Sequence, residues 1–398
     1  MKNAILKTVL ASAAGALLLA SCASTSIDAD EGDNFQKRYY TIQYPSLDEP
    51  DGAIRAIPMP SAPLDETQTL TRIVFASCAQ QNGDQSIWDQ IASEHPDLTL
   101  YMGDNVYGDV SPDEPALPEL KTAYMRLAQS EPFARARAAA PMLTVWDDHD
   151  YGRNDGGGDY ALKEKSEALF DYVWAMHEDD PRRTRPGVYG SWIIGAEEGK
   201  RVQVIMLDTR FFRSPLVETD ERGAHGKERY VPDDDPSKTI LGDGQWRWFA
   251  EELQKPADLR LVVSSIQVIA DGHGWESWRL FPHERARLYK TITGLGVNGV
   301  VFLSGDRHGA ALYRKDGVND YPLFEATSSS LNLPASIWRA ESGETWMEEG
   351  PNRLGDMIYE ANYGVIDIDW DQGAIAVSIR SKDGDPYLSE TINLRSLQ

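Results

Sequence analysis

Four titratable residues in a row, Asp147-Asp148-His149-Asp150, follow directly on the apolar run Met142 to Trp146. At the end of a buried segment these groups would repel one another unless cations or hydrogen bonds absorbed the charge. In solvent the same run would be an ordinary charged stretch. Gly305-Asp306-Arg307-His308 repeats the theme, with Asp306 and His308 one residue apart and able to approach one face of a bend. A third motif, Gly103-Asp104-Asn105-Val106-Tyr107, begins on a glycine that permits a sharp turn. Asp104 then offers two oxygens, enough to bridge two cations, and the Tyr107 phenol can swing back to the same centre. Gly-Asp is also a common turn pair. Carboxylate and imidazole together form the usual donor set of borderline and hard metals, so metal-ion chemistry is what these residues point to.

The elements that must position them are short and apolar. Arg72 to Ala76, Leu98 to Met102, Met142 to Trp146, Val202 to Leu207, Leu261 to Ser264 and Val300 to Leu303 each read as a buried strand. Helical patterns fall between them at Ser86 to Glu94, Leu117 to Gln129, Tyr160 to His177, Gln245 to Gln254 and Pro282 to Thr293, with Ser86 and Pro282 as suitable helix starts. Tyr363 to Trp370 and Ala374 to Arg380 alternate around Asp371-Gln372-Gly373, which predicts a closing antiparallel hairpin. The alternation is that of a layered α/β domain. Polar, metal-capable residues follow five of the strands: Ser77-Cys78, Gly103-Asp104-Asn105, Asp147 to Asp150, Asp208-Thr209-Arg210 and Gly305 to His308. Strand C-terminal ends are where α/β sheets place their sites.

Taken in order, Phe75-Ala76-Ser77-Cys78, Gly103-Asp104-Asn105-Val106-Tyr107, Trp146-Asp147-Asp148-His149-Asp150, Leu207-Asp208-Thr209-Arg210 and Ser304-Gly305-Asp306-Arg307-His308 resemble the motif series of the alkaline phosphatase D (PhoD-type) family. The resemblance covers about Leu70 to Ser330. It implies a calcineurin-like metallophosphatase fold: α/β, two mixed β-sheets packed face to face with flanking helices, and metals at the strand ends. It also implies Fe(III) held by thiolate, phenolate and carboxylate with Ca(II) beside it, other divalent metals being able to substitute. Cys78, Tyr107 and Asp104 match the iron-ligand positions; Asp148, Asp306 and His308 match the remaining metal motifs, with Asp147 the alternative should the third motif shift by one. From the residues alone, Cys78 reads rather as a buried, inert thiol than as a ligand.

His149 resembles the histidine of the Asn-His-Glu/Asp motif of the wider superfamily, expected to protonate the leaving group or hold a phosphoryl oxygen. Asn105 stands where some members have Arg, a neutral donor in place of a cation. Arg153 and Asn154 are expected to complete the clamp on the phosphoryl oxygens. His273 and Gln267 are placed at the pocket mouth, and Trp275, Trp278 and Phe281 in the core. The activity implied is metal-dependent hydrolysis of phosphate esters by a metal-activated hydroxide, monoesters preferred. A phosphodiesterase or phospholipase D-like enzyme on the same scaffold is the alternative. A lipoprotein that only binds calcium or phosphate is the non-catalytic one.

Lys2 and Lys7, the apolar stretch Val9 to Ala20 and Leu19-Ala20-Ser21-Cys22 form an export signal too short to span a bilayer, ending in what resembles a lipobox. The expected organisation is therefore signal peptide 1–21, tether 22–38 and one domain 39–398 whose Pro-rich start, 39–69, has no core of its own. Lipid on Cys22 would anchor the protein, with Ala23 favouring the outer membrane. Only Cys22 and Cys78 exist, so lipidation leaves Cys78 without a disulfide partner. The formal charge is −24, and removal of Lys2 and Lys7 takes it to −26. Such a surface disfavours nucleic acid or anionic lipid as the main partner; the resemblance implies a phosphate-ester small molecule or lipid as substrate, and no obligate protein partner is evident.

Overall fold

The strands form where the chain offers short apolar runs between turn residues. The computed structural model describes residues 55–398 apart from 111–113, 344 and 346. The expected signal segment, the tether and residues 39–54 of the preamble lie outside the described residues. In chain order the first strands are β1 (Arg72–Ala76), β2 (Leu98–Met102), β3 (Met142–Val145), β4 (Gly190–Ile194) and β5 (Val202–Met206). The short β6 (Val217–Glu218) and β7 (Tyr230–Val231) pair as a ribbon, followed by β8 (Leu259–Val263), β9 (Val300–Ser304), β10 (Ala310–Lys315) and β11 (Leu323–Ser328). The last are β12 (Arg353–Ile358), β13 (Asn362–Asp369), β14 (Ala374–Ser381) and β15 (Pro386–Asn393).

Two sheets result, ordered β15-β14-β13-β1-β2-β3 and β12-β10-β11-β9-β8-β5-β4. Both are mixed: β1, β2 and β3 are parallel while β1 and β13 are antiparallel, and β11, β9, β8 and β5 run parallel between antiparallel edges. The two sheets pack face to face over one continuous apolar core that takes Phe75 and Val365 from one and Val262 and Phe302 from the other. Strands β2, β5, β8 and β9 are buried along their whole length, which is why each reads as an apolar run with only one polar residue in it. Within the first sheet, the Phe75 ring lies where a side chain on Gly364 would have to go.

The helices are α1 (Ile87–Ser93), α2 (Pro118–Ala128), α3 (Glu131–Ala139), α4 (Asp148–Tyr151), α5 (Lys163–Val173), α6 (Gly242–Leu253), α7 (Pro282–Gly294) and α8 (Ser336–Ser342). α7 starts with Pro282 in its first turn, as expected. Ser86 does not cap α1: its hydroxyl donates to Asp84 instead. Strands β4, β6, β7, β10, β11, β12 and β15 and helices α3, α4 and α8 were not among the expected elements. In β11 the reason is Glu325, which reads as a solvent residue but is buried and accepts the Val268 and Ile269 N–H groups at 2.8 and 2.6 Å. The described part of the preamble lies on the domain, with Met59 buried and its N–H donating to the Val173 carbonyl.

Candidate metal centre

The chain turns abruptly at the end of four strands. Cys78, Asp104, Asp306 and His308 have φ of 58°, 50°, 66° and 51°, half of the eight non-glycine residues with positive φ among the described residues. Side chains with a Cβ enter this region at a cost, and such residues collect at functional sites. Local hydrogen bonds hold the turns. Asp150 is the main organiser: its carboxylate accepts the N–H groups of Asp104 at 3.2 Å, Asn105 at 3.3 Å and Asp147 at 2.7 Å. The one-turn helix α4 thus begins in a capping box and fixes the β2 and β3 ends together. Across the joint between sheets, the Ser329 hydroxyl accepts the His308 N–H at 2.8 Å and lies 2.9 Å from the Cys78 sulfur.

Asp104 stands at the middle of what these turns assemble. Its Oδ2 lies 3.3 Å from Cys78 Sγ and 3.2 Å from the Tyr107 hydroxyl, which is itself 3.5 Å from His308 Nε2. Three groups of side chains present donor atoms within 4.8 Å of one another: Cys78, Asp104 and His308; Asp104, Asp148 and His149; and Asp104, Asp147, Asp148 and Asp306. Asp104 belongs to all three. His308 Nδ1 faces the Leu333 carbonyl at 2.7 Å, so that nitrogen carries the proton and Nε2 keeps its lone pair for the centre. The structure therefore brings Cys78, Asp104, Tyr107, Asp148, Asp306 and His308 to one place, with Asp147 joining beside Asp148 rather than replacing it.

Charge decides which kind of group the pocket suits. Burial pushes Asp104, Asp147 and Asp306 well above the usual carboxylate range, and each is raised further by its acidic neighbours. The Cys78 thiol and Tyr107 phenol are raised by burial and by Asp104. Asp148 is lowered despite burial, because His149, Arg210 and the Asp155 N–H favour its charged form. Burial would lower His149, but Asp148, Asp104 and Asp109 outweigh it and lift the imidazole to about 11. Burial holds His308 down to about 4, the neutral form a ligand needs. Asp147 Oδ2, Asp148 Oδ1 and Asn105 Oδ1 are buried acceptors without a hydrogen-bond partner in the protein. Orphaned acceptors among crowded carboxylates are what a cation site looks like before its cations are counted, so this donor set fits metal ions.

The residues expected to grip phosphate are placed differently. Asn105 is fully buried and its amide N–H groups go to the Val145 carbonyl and Asp150, so it does not donate outward as expected. Its strand-end position commits it to the turn. Arg153 pairs with Asp159 at 2.8 Å and lies over the Tyr160 ring, while Asn154 is exposed and donates to Asp155. His149 packs its ring 4.4 Å from Tyr107 and holds Asp109 through Nδ1 at 2.7 Å. His273 and Gln267 are not at a mouth: both are buried and bonded to each other at 2.9 Å. Trp278 and Phe281 are core, and Trp275 is partly buried.

Asp109 and the Arg210 network were missed. Arg210 is fully buried, ion-paired to Asp147 and to Glu276, which also holds Arg213 at 2.8 Å. Together with the Ser265 hydroxyl, 2.6 Å away, Arg210 occupies Asp147 Oδ1 and leaves Oδ2 for the centre. The signal for Arg210 was its place after β5 in Leu207-Asp208-Thr209-Arg210.

Gly305 lets the two sheets meet here. A Cβ on it would fall 2.5 Å from the Ser77 hydroxyl, which is tied to the Ser328 carbonyl at 3.0 Å. Gly305→Ala is expected to cost about 1–3 kcal/mol by overpacking and to reduce metal retention. Thermal unfolding and metal analysis of the purified variant check this; wild-type stability and metal content would contradict the close approach.

Comparison with known proteins agrees with the geometry. The family model of PhoD-like phosphatases matches residues 73–379. Alkaline phosphatase D of Bacillus subtilis (strain 168) is 24% identical over 345 residues, covering 77% of this chain and 56% of that protein. The chain thus spans about half the length of this curated relative. The solved structure of PhoD superposes with a TM-score of 0.60 at 16% identity, over 83% of this chain and 70% of that one. The purple acid phosphatase PPD1 from yellow lupin (Lupinus luteus) seeds gives 0.50 at 13%, over 83% and 55%. At such identities the two structures speak for a shared fold.

Proposed function

The chain belongs to the PhoD-like phosphatase family, and from that premise we propose that it hydrolyses phosphate esters at a metal centre held by Cys78, Asp104, Tyr107, Asp148, Asp306 and His308. The observation that carries this reading is the sharing of Asp104 among three donor groups, which lets one carboxylate serve more than one cation. Thiolate and phenolate donors suit Fe(III), and the carboxylates around Asp148 and Asp306 suit Ca(II). Bound cations would supply Lewis-acid polarisation of the phosphoryl group and acidify water at neutral pH.

The remaining steps fall to the chain. Asp109 accepts from His149 Nδ1 and fixes the ring beside Tyr107, so the other nitrogen is available to give a proton to the departing alcohol or to hold a phosphoryl oxygen. Arg210 and Ser265 keep Asp147 turned toward the centre. Arg153, one third exposed beside Asp159, can reach a substrate only by leaving that ion pair. Attachment through lipid on Cys22, most compatible with the outer membrane, would bring this centre to a membrane surface and is part of the proposal.

Nitrophenyl phosphate, bis-nitrophenyl phosphate and phosphatidylcholine assayed in parallel, before and after chelation, test it. We expect turnover of the monoester above the diester, lost on chelation and restored by iron with calcium. A faster diester or lipid reaction would move the assignment to a phosphodiesterase or phospholipase D-like enzyme. Tight calcium or phosphate binding without turnover of any of the three would leave a binding lipoprotein.

A further inference from the structure

Helix α8 has no buried residue, yet it carries Ile337 and Trp338, 44% and 43% exposed. A surface helix ordinarily buries an apolar stripe, so these side chains are not there to make core. The helix is held instead by its first turn: the Ala335 N–H donates to the His308 carbonyl at 2.7 Å and the Ser336 N–H to the Tyr359 carbonyl at 2.9 Å. The Leu333 carbonyl just before it fixes His308 Nδ1. These bonds set the Trp338 ring edge-to-face with the His308 imidazole, centroids 4.8 Å apart.

Solvent reaches the metal centre on this side. Cys78, Asp104, Asp147 and Asp148 are buried, whereas Tyr107, His149, Asp306 and His308 keep partial exposure. A phosphoryl group seated among the ligands must therefore extend its esterified alcohol past Tyr107, His149 and His308, and Trp338 stands at that rim. Resting on the phosphoesterase reading, we propose that Trp338 is a specificity-determining shelf for an apolar, preferably aromatic, group on the alcohol side of the substrate. Contact of one ring face removes a modest apolar area from water, worth about tenfold in affinity.

The test compares benzyl and methyl phosphate, whose alcohols differ mainly in the ring, together with the inert benzylphosphonate and methylphosphonate. For the wild type we expect benzyl to be preferred about tenfold in kcat/KM, chiefly through KM, and in phosphonate affinity. Trp338→Ala should collapse both preferences to near unity, and Trp338→Phe should restore most of each. Equal losses on benzyl and methyl compounds would make Trp338 a mere support of His308, and a benzyl preference that survives in Trp338→Ala would overturn the shelf. Loss of partition onto phosphatidylcholine vesicles with that preference intact would instead make Trp338 a membrane contact. Should neither ester turn over, the phosphonate pair still decides on the shelf while the hydrolase reading falls separately.

Discussion

Asp104→Asn is expected to abolish most turnover while leaving the metal-free protein at least as stable as the wild type. Asp104 is common to all three donor groups, so losing its charge weakens every cation position at once. Lewis-acid stabilisation is worth several kcal/mol, which corresponds to a fall of about 10³-fold in kcat/KM. Stability should move the other way. Asp104 is buried against Asp148, Asp147 and Asp150, and its carboxyl is pushed up by burial and by those neighbours. A neutral amide of the same shape avoids the cost of either ionising or protonating a carboxyl held among like charges. Kinetics, metal analysis and unfolding in chelator measure the three consequences together. An Asn variant with wild-type turnover would show that Asp104 is a turn residue and no ligand.

The second large effect concerns Cys78. Its sulfur is fully buried, 3.3 Å from Asp104 Oδ2 and 2.9 Å from the Ser329 hydroxyl. Without a metal, burial and Asp104 keep it a thiol; a trivalent cation would displace that proton. Purified protein should therefore absorb visible light through thiolate or phenolate charge transfer to iron. Cys78→Ala should lose the thiolate band, retain calcium, and lose about a hundredfold or more in turnover. A colourless, iron-free and fully active wild type would remove iron from the proposal. It would leave the carboxylate site standing.

What could be read in advance follows from the kind of signal each residue leaves. The parallel strands β1, β2, β3, β5 and β9 leave short apolar runs, and the acids and histidines directly after them stand out because they break those runs off. Asp104, Asp148, Asp306 and His308 were visible for that reason, Tyr107 was within reach of Asp104 three residues on, and Cys78 became visible only in the ordered series of motifs. Glu325 hid β11, since a buried carboxylate that accepts backbone N–H groups looks in sequence like a solvent-facing one. Asp109 sits in a loop and is 44% exposed, indistinguishable beforehand from any surface acid. His273, between two glycines, was placed at the pocket mouth, and its burial and its bond to Gln267 show it to be interior. Asn105 was expected to donate to phosphate; which way an amide points depends on Asp150 and Val145, and no spacing rule conveys that.

The pairing of β1 with β13 joins residues such as Arg72 and Asp367, 295 positions apart. Cys78 lies two residues past the end of β1, so the segment bearing it gains its second flanking strand only when most of the polypeptide has already been made. Such distant closure is slow. Ion loading then belongs to the end of maturation, and a molecule truncated before Asn362 would carry every proposed ligand yet have no finished seat to receive the ions.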